Sequence, residues 1–169
     1  TFTQSGAKMI EEPFTGQPVC LVPALYPDVA IIHVHQCDMY GNARVMGAGV
    51  APMEIAMSSR KVIISTEEII DIEAIRRQPQ RTTIPYYFVD AVVLAPFGTY
   101  PGSTPGLYAA DIEHWLEWAA AEMQGKTGDY LDKWVYGLSS HQEMLDKLVG
   151  AEKLERLREA ETVREGYYE

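Results

Sequence analysis

The sequence predicts an α/β fold, a sheet with helices on its faces, followed by a helical C-terminal segment. Three observations carry this. The apolar runs at residues 29–35, 61–65 and 87–94 have the length and nearly unbroken apolar character of strands covered on both faces. Helix signals stand between the runs, and alternation of strand and helix is the pattern of an α/β sheet. Beyond Asp111 the apolar residues Ile112, Trp115, Leu116, Ala119, Ala120 and Met123 recur at helical spacing.

Residues 1–17 are polar and glycine-bearing and read as a connection; residues 18–24 read as a short strand. After the strand at 29–35 comes the polar turn Asp38-Met39-Tyr40-Gly41-Asn42, with a second short strand leaving it. Residues 52–59 fit a short helix with Pro52 in its first turn. Ser65 and Glu68 have the spacing of a capping box, which predicts a helix running to Arg77. Arg76 and Arg77 would sit at its negative end, and Pro79 would stop it. Residues 95–108 hold Pro96, Gly98, Pro101, Gly102, Pro105 and Gly106, a long irregular loop of the kind that is functional or disordered. The helix after Asp111 stops at Gly125. Residues 129–136 and 140–149 read as further helices, the latter opened by a Ser140/Glu143 capping box, and residues 151–164 as a charged segment that frays. The expected division is an α/β domain over residues 1–108 and a helical extension packed on it over residues 109–169.

The chain has 169 residues, enough for one domain that would bury roughly 70% of its unfolded surface. With 47% hydrophobic and 22% charged residues it has an ordinary globular composition. The formal net charge of −10 argues against non-specific nucleic-acid binding, which needs Lys and Arg at the phosphates. No apolar run approaches the ~20 residues of a membrane span, and no signal peptide opens the chain. Thr1 is not an initiator methionine, so the N-terminus is expected to come from cleavage, processing or design. Cys20 and Cys37 read as two free buried thiols in a reducing cytoplasm.

Several residue patterns suggest chemistry. His33 and His35 share a strand face and Asp38 follows, the makings of a metal site; hydrogen-bonded histidines at a strand end are the favoured reading, and no metal is expected. Gly47-Ala48-Gly49 between a strand and a helix, with Glu67 about twenty residues on, approaches a dinucleotide fingerprint. Pro52 stands where the third glycine would be, and a turn needing positive φ is the plainer explanation. Gly41-Asn42 is turn chemistry first and a candidate pocket wall second. The 95–108 loop offers Phe97, Tyr100 and Tyr108 as apolar lining and Ser103 and Thr104 as hydroxyls, suited either to a pocket or to a partner surface. Neither a Gly-x-Ser-x-Gly elbow nor a Ser/His/Asp cluster is apparent.

The segment from Asp28 to Met46 resembles one in the alpha (A) chain of family I coenzyme A transferases, the glutaconate type in particular. The likeness continues through Lys61-Val62-Ile63-Ile64-Ser65-Thr66-Glu67-Glu68-Ile69-Ile70, Glu73-Ala74-Ile75-Arg76-Arg77-Gln78-Pro79, Ile84-Pro85 and Val89-Asp90-Ala91-Val92-Val93-Leu94-Ala95-Pro96-Phe97-Gly98. It implies that the sheet is open and mixed, and that this chain is the C-terminal half of such an alpha subunit, its glycine-rich N-terminal half being absent. It implies an enzyme that moves CoA between an acyl-CoA and a carboxylate. The thioester is attacked by a glutamate of the partner B (beta) subunit, an acyl-glutamyl anhydride forms, and CoA returns to give a glutamyl thioester. That glutamate lies in a Ser-Glu-Asn-Gly-like motif with no counterpart here; Glu165-Gly166, in the charged tail, is rejected as a nucleophile. The expected partners are the CoA-transferase beta subunit, the missing N-terminal half, an acyl-CoA and a carboxylate, with coenzyme A as substrate and no further cofactor. An acidic half-subunit is a poor holder of CoA phosphates by itself, so basic residues are expected from the partner. His33 and Gln36 also occur in glutaconate-type relatives. The expected substrate-binding set is His33, Gln36, Gly41, Asn42, Gly98 and Ser103, with no catalytic residue on this chain. A CoA-ester hydrolase of the ring-cleaving type, a nucleotide-binding domain and a purely structural or regulatory subunit stay open as alternatives.

Overall fold

A computed structural model describes residues 6–47 and 49–162, leaving aside the side chain of residue 162. A four-stranded mixed sheet carries the fold. Its order is β4 (Ala43–Arg44), β3 (Val29–Asp38), β5 (Lys61–Ile70), β6 (Ala91–Leu94). β3, β5 and β6 are parallel, and β4 turns back antiparallel on β3 through the Asp38–Asn42 turn. Helices α1 (Pro52–Ser58) and α2 (Ile72–Arg77) lie on the two crossovers between parallel strands.

The largest departure from the sequence reading is at β5. The Ser65/Glu68 capping box does not form, because the strand continues to Ile70 in register with β3: His33 faces Ser65, Gln36 faces Glu68 and Asp38 faces Ile70. A ladder shared with a ten-residue strand outweighs a local cap worth about 1 kcal/mol. α2 is capped instead by Asp71, whose carboxylate accepts from Glu73 N–H at 2.7 Å. β3 likewise runs past residue 35 to Asp38, and β6 is shorter than read, with a 3₁₀ turn at Tyr86–Phe88 before it. Asp90 clips the two parallel strands together, accepting from Val62 N–H at 2.9 Å and from Lys61 at 2.7 Å. Residues 1–17 are not merely a connection: β1 (Lys8–Glu11) pairs with β2 (Pro18–Leu21) as a separate antiparallel hairpin.

The sheet has one covered face. Ala30, Ile32, Val34, Val62 and Ile64 pack with Ala56 of α1 and with Ile84. On the other face Val29 is 50% and Ile31 75% exposed, so within this chain only one side of β3 is covered. Only the C-terminal ends of the strands are covered there, by the 95–108 loop and the helices that follow. Cys37 is buried as expected, and burial first, with the Asp38 charge second, pushes its thiol up to about 12. Cys20, on the hairpin, is exposed.

The C-terminal helices are α3 (Ile112–Met123), α4 (Thr127–Leu131), α5 (His141–Met144) and α6 (Ala151–Thr162), with π turns extending α4 through Asp132–Tyr136 and α5 through Leu145–Val149. Ser140 caps α5 at Glu143 N–H as read, and Gly125 ends α3 with a φ of +69°. The apolar stripe of α3, however, faces outward: Ile112, Trp115, Leu116 and Met123 are exposed, and the buried residue is His114. His114 packs on Trp134 at a centroid distance of 3.9 Å and bonds Tyr100 and Tyr130. Asp111 caps α3 and accepts from Tyr100 and Lys153 at 2.7 Å each, which ties α6 to α3. α6 continues as helix to Thr162; Arg164 and the Glu165-Gly166 pair lie outside the described residues.

Candidate functional site

The parallel strands end at a cavity of about 480 Å³. Gln36 of β3, Glu67 and Glu68 of β5, Phe97 and Tyr108 of the loop, and Arg158 of α6 stand among its walls. Ligands of open α/β sheets favour this end of the strands.

Glu67 organises the wall. Its Oε1 accepts from His33 Nε2 at 2.7 Å and from the Tyr108 hydroxyl at 2.5 Å, and its Oε2 accepts from Phe97 N–H at 2.7 Å. Burial would raise its carboxyl, but the donors from His33, Tyr108 and Phe97 outweigh it, so the pKa lies below its ordinary value. Tyr108 moves the other way, to about 12, because burial and then the hydrogen bond to Glu67 favour the neutral phenol. Thr99 and Thr104 continue the chain of hydroxyls behind it, at 2.7 and 2.8 Å.

His33 Nδ1 lies 2.9 Å from Ser65 Oγ. With Nε2 bonded to Glu67, Nδ1 is the ring atom left for the serine hydroxyl. Serine, histidine and glutamate thus stand in the order of a hydrolase relay, although no such cluster was apparent in the sequence. Ser65 does not line the cavity, however, so its hydroxyl has no acyl group to meet there. The relay fixes the histidine and holds Glu67 as an anion. His35 takes no part. Its Nδ1 accepts from Met46 N–H at 3.1 Å and its Nε2 donates to the Pro105 carbonyl at 2.9 Å. The two histidines and Asp38 therefore sit in three separate hydrogen-bond networks.

The expected binding residues divide into three places. Gln36 lines the cavity and donates to Glu68 at 2.7 Å. His33 stands one layer behind, with Gly98 pressed on it; a Cβ on Gly98 would lie 2.4 Å from His33 Cε1. Ser103 is exposed on the loop and is not among the residues lining the cavity. Gly41 and Asn42 belong to the Asp38 turn, and Asn42 lines a second cavity of about 290 Å³ with Tyr40, Ile72, Arg76 and Tyr86. Asp38 accepts from Tyr40 N–H, Asn42 N–H and the Asn42 amide at 2.7 to 3.0 Å, and Gly41 holds a φ of +105° against Val89. Sequence reasoning missed Tyr108 as a ligand of Glu67, along with Ser65 and Arg158, and singled out Glu67 only as the acid of the dinucleotide-like pattern. An acid inside an otherwise apolar strand was the available signal. The dinucleotide reading itself fails: β4 is antiparallel to β3, α1 has seven residues, and Glu67 is already engaged.

Acidic groups dominate the larger cavity. Glu67, Glu68, Glu155 and Glu159 line it against one arginine, Arg158, which lies over the Phe97 ring at 4.7 Å.

A family profile described as Coenzyme A transferase matches residues 1–95. The chain belongs to the coenzyme A transferase family. It is 39% identical over 153 residues to the A subunit of glutaconate CoA-transferase from Acidaminococcus fermentans, covering 89% of this chain and 48% of that protein. It is 45% identical over 166 residues to an uncharacterized protein of Archaeoglobus fulgidus, covering 98% of this chain and 37% of that one. The crystal structure of glutaconate coenzyme A-transferase from A. fermentans superposes with a TM-score of 0.83 at 38% identity, over 90% of this chain and 48% of that one. The decarboxylase AibA/AibB, in a variant form, superposes with a TM-score of 0.63 at 30% identity, over 80% of this chain and 49% of that one. This coenzyme A transferase chain thus spans about half the length, or less, of the relatives it matches. The mixed sheet flanked by helices is the fold they share.

Proposed function

We propose that this chain forms part of the alpha subunit of a hetero-oligomeric CoA transferase that moves CoA between an acyl-CoA and a carboxylate, the attacking glutamate coming from a beta subunit. The observation that carries this is the likeness to glutaconate coenzyme A-transferase in both sequence and structure, over nine-tenths of this chain. The cavity is consistent with a supporting role. Glu67, the one buried carboxylate in its wall, holds three donors and is poorly placed to attack a thioester. The other acids make the cavity unfavourable for an anionic substrate until cations from a partner enter it. In this reading Gln36 contacts the acyl group or the carboxylate, His33 and Gly98 position the wall, Ser103 lies on the rim, and Gly41 and Asn42 shape the neighbouring cavity. The N-terminal half of the subunit covers the open face of the sheet. The enzyme works in a reducing cytoplasm, where Cys20 and Cys37 stay as thiols. Among the described residues no helix is long and apolar enough to cross a membrane.

The test is to incubate the chain and its co-purifying partner with an acyl-CoA, reduce with borohydride, and map the peptides. A glutamate of the partner should be converted, and no residue of this chain. A modified peptide from this chain would place the chemistry here instead. A second reading, decarboxylation of a substrate held in the same cavity, is favoured by the 30% identity to a decarboxylase. Carbon dioxide release without a second carboxylate substrate would support it over transfer.

A further inference from the structure

We propose that the outward face of α3 is the contact between two copies of this chain, paired about a two-fold axis at Ala119. The contact needs nothing from the transferase reading. Ile112, Trp115, Leu116, Ala119 and Met123 stand at i, i+3, i+4, i+7 and i+11, one continuous stripe of the helix. The stripe is open to solvent: Leu116 is 66% and Met123 89% exposed, and Trp115 and the flanking Trp118 are each nearly half exposed. The opposite side of α3 is the side this chain buries, through His114. Glu117 also turns away from the stripe, where Lys133 and the Trp134 ring N–H donate to it at 2.7 and 3.0 Å. A contiguous apolar patch of this kind, rimmed by polar residues, marks a contact surface.

The face carries both halves of a contact. Trp115, Trp118, Ala119, Pro101 and Tyr130 line an open groove of about 680 Å³. Its walls are held in place. The Tyr130 hydroxyl bonds His114 Nε2 at 2.7 Å, and the Pro101 carbonyl accepts from Asp111 N–H at 2.9 Å. Met123 projects one helical turn beyond Ala119. A two-fold axis reverses the helix of the second copy, and the same patch then faces itself. Ala119 is the smallest residue of the stripe, and an axis there lets the helices approach to the short end of the usual ~8–10 Å. Met123 of each copy then lies over Trp115 of the other, at the mouth of its groove. A flexible thioether against an aromatic ring suits such a gap.

Charge and area favour a second copy as the occupant. Each chain carries −10, so two copies meet only where like charges are absent, and the stripe holds no ionisable residue. A basic partner would seek acids, which the stripe does not offer. At the ends of the contact the reversed helix sets the exposed Glu113 of one copy beside the exposed Lys126 of the other, twice. It also sets each helix N-terminus against the other's C-terminus, the favourable order of the dipoles. Ile112, Trp115, Leu116, Trp118 and Met123 alone offer the larger part of the roughly 800 Å² that one partner gives to a standard interface. Contacts between identical chains are also the more apolar kind.

The test is the mass of the chain with its co-purifying partner in analytical ultracentrifugation. The native complex should hold two copies of this chain, or a multiple of two. Leu116→Glu and Met123→Glu each fall twice in a two-fold contact, so each should raise the dissociation constant between copies by ~30-fold or more and halve the mass. Glutamate is a good helix former and both side chains are exposed within one chain, so the circular dichroism spectrum should not change. In a Cys20→Ser background, Ala119→Cys meets its own copy at the axis and should give a disulfide-linked dimer on mild oxidation. Ser103→Cys, exposed elsewhere, should not. A native complex with a single copy of this chain, an unchanged mass in both glutamate variants, or an Ala119→Cys chain that fails to join its own kind overturns the inference.

Discussion

Gly98→Ala should destabilise the chain by about 3 kcal/mol, although the change adds one methyl group at an exposed backbone position. The added Cβ would sit 2.4 Å from His33 Cε1, 2.6 Å from His33 Nδ1 and 2.8 Å from the Ala95 carbonyl oxygen. The ring has little room to withdraw, because Ser65 and Glu67 hold its two nitrogens. The loop has little room to lift, because Ala95 N–H is bonded to Thr66 O at 2.8 Å and Phe97 N–H to Glu67. Forcing a methyl group into a packed site costs ~1–3 kcal/mol. Swinging the ring instead forfeits its bond to a carboxylate, ~1.5–3 kcal/mol. Both routes reach about 3 kcal/mol at their upper end, which a clash with three held atoms warrants, and that is a fall in Tm of about 6–12 °C for a chain of this size. Scanning calorimetry of the purified complex reads it directly, with Ser103→Ala on the same loop as a control that stays within ~1–2 °C. In a His33→Ala background the two ring contacts are gone and only the Ala95 carbonyl contact remains, so Gly98→Ala should cost clearly less. A Tm for Gly98→Ala within ~2 °C of the native chain, or the same loss with and without His33, would refute the packing argument.

Further expectations concern the exposed sheet face, acid stability, the thiols and the turn. Produced without a partner, residues 1–169 should aggregate, since Val29, Ile31 and Val93 leave an apolar face open; a monodisperse, cooperatively melting monomer in analytical ultracentrifugation and calorimetry would contradict this. Glu67 has a folded pKa below its ordinary 4.5, so its contribution is complete above that pH and is lost as pH falls through the lowered folded value. Glu67→Gln should therefore lower the Tm at pH 7 and flatten its acid dependence below pH ~4.5, and a parallel downward shift at every pH would show that the charge is irrelevant. Iodoacetamide should label Cys20 in the folded protein and Cys37 only after denaturation, read by peptide mass spectrometry. Gln36→Ala and Asn42→Ala should each lower kcat/KM of the assembled enzyme by at least ~10-fold, or ~1.4 kcal/mol, with assembly intact; near-native kinetics in both would reduce these residues to architecture.

Sequence alone determined the class of fold and the order of its main elements. Unbroken apolar runs such as 29–35 can only be strands or core helices, and their length and flanking turns settle which. Local caps written in single residues were legible too: Ser140 opens a helix and Gly125 closes one because each acts on its own backbone. The likeness to coenzyme A transferases was carried by ordered segments spread over most of the chain. Tertiary structure decided what depends on neighbours distant in sequence. Ser65 and Glu68 form a sound capping box in isolation, but pairing with β3 offered more hydrogen bonds than one helix turn could. The outward turn of Trp115 and Leu116, against the burial of His114, followed from where Asp111, Tyr100 and Trp134 stood, not from helical periodicity. The hydrogen-bond network behind the cavity wall is the clearest case. His33, Ser65, Glu67, Phe97 and Tyr108 come from three separate stretches of chain, and only the parallel register of β3 and β5 brings them within hydrogen-bond reach.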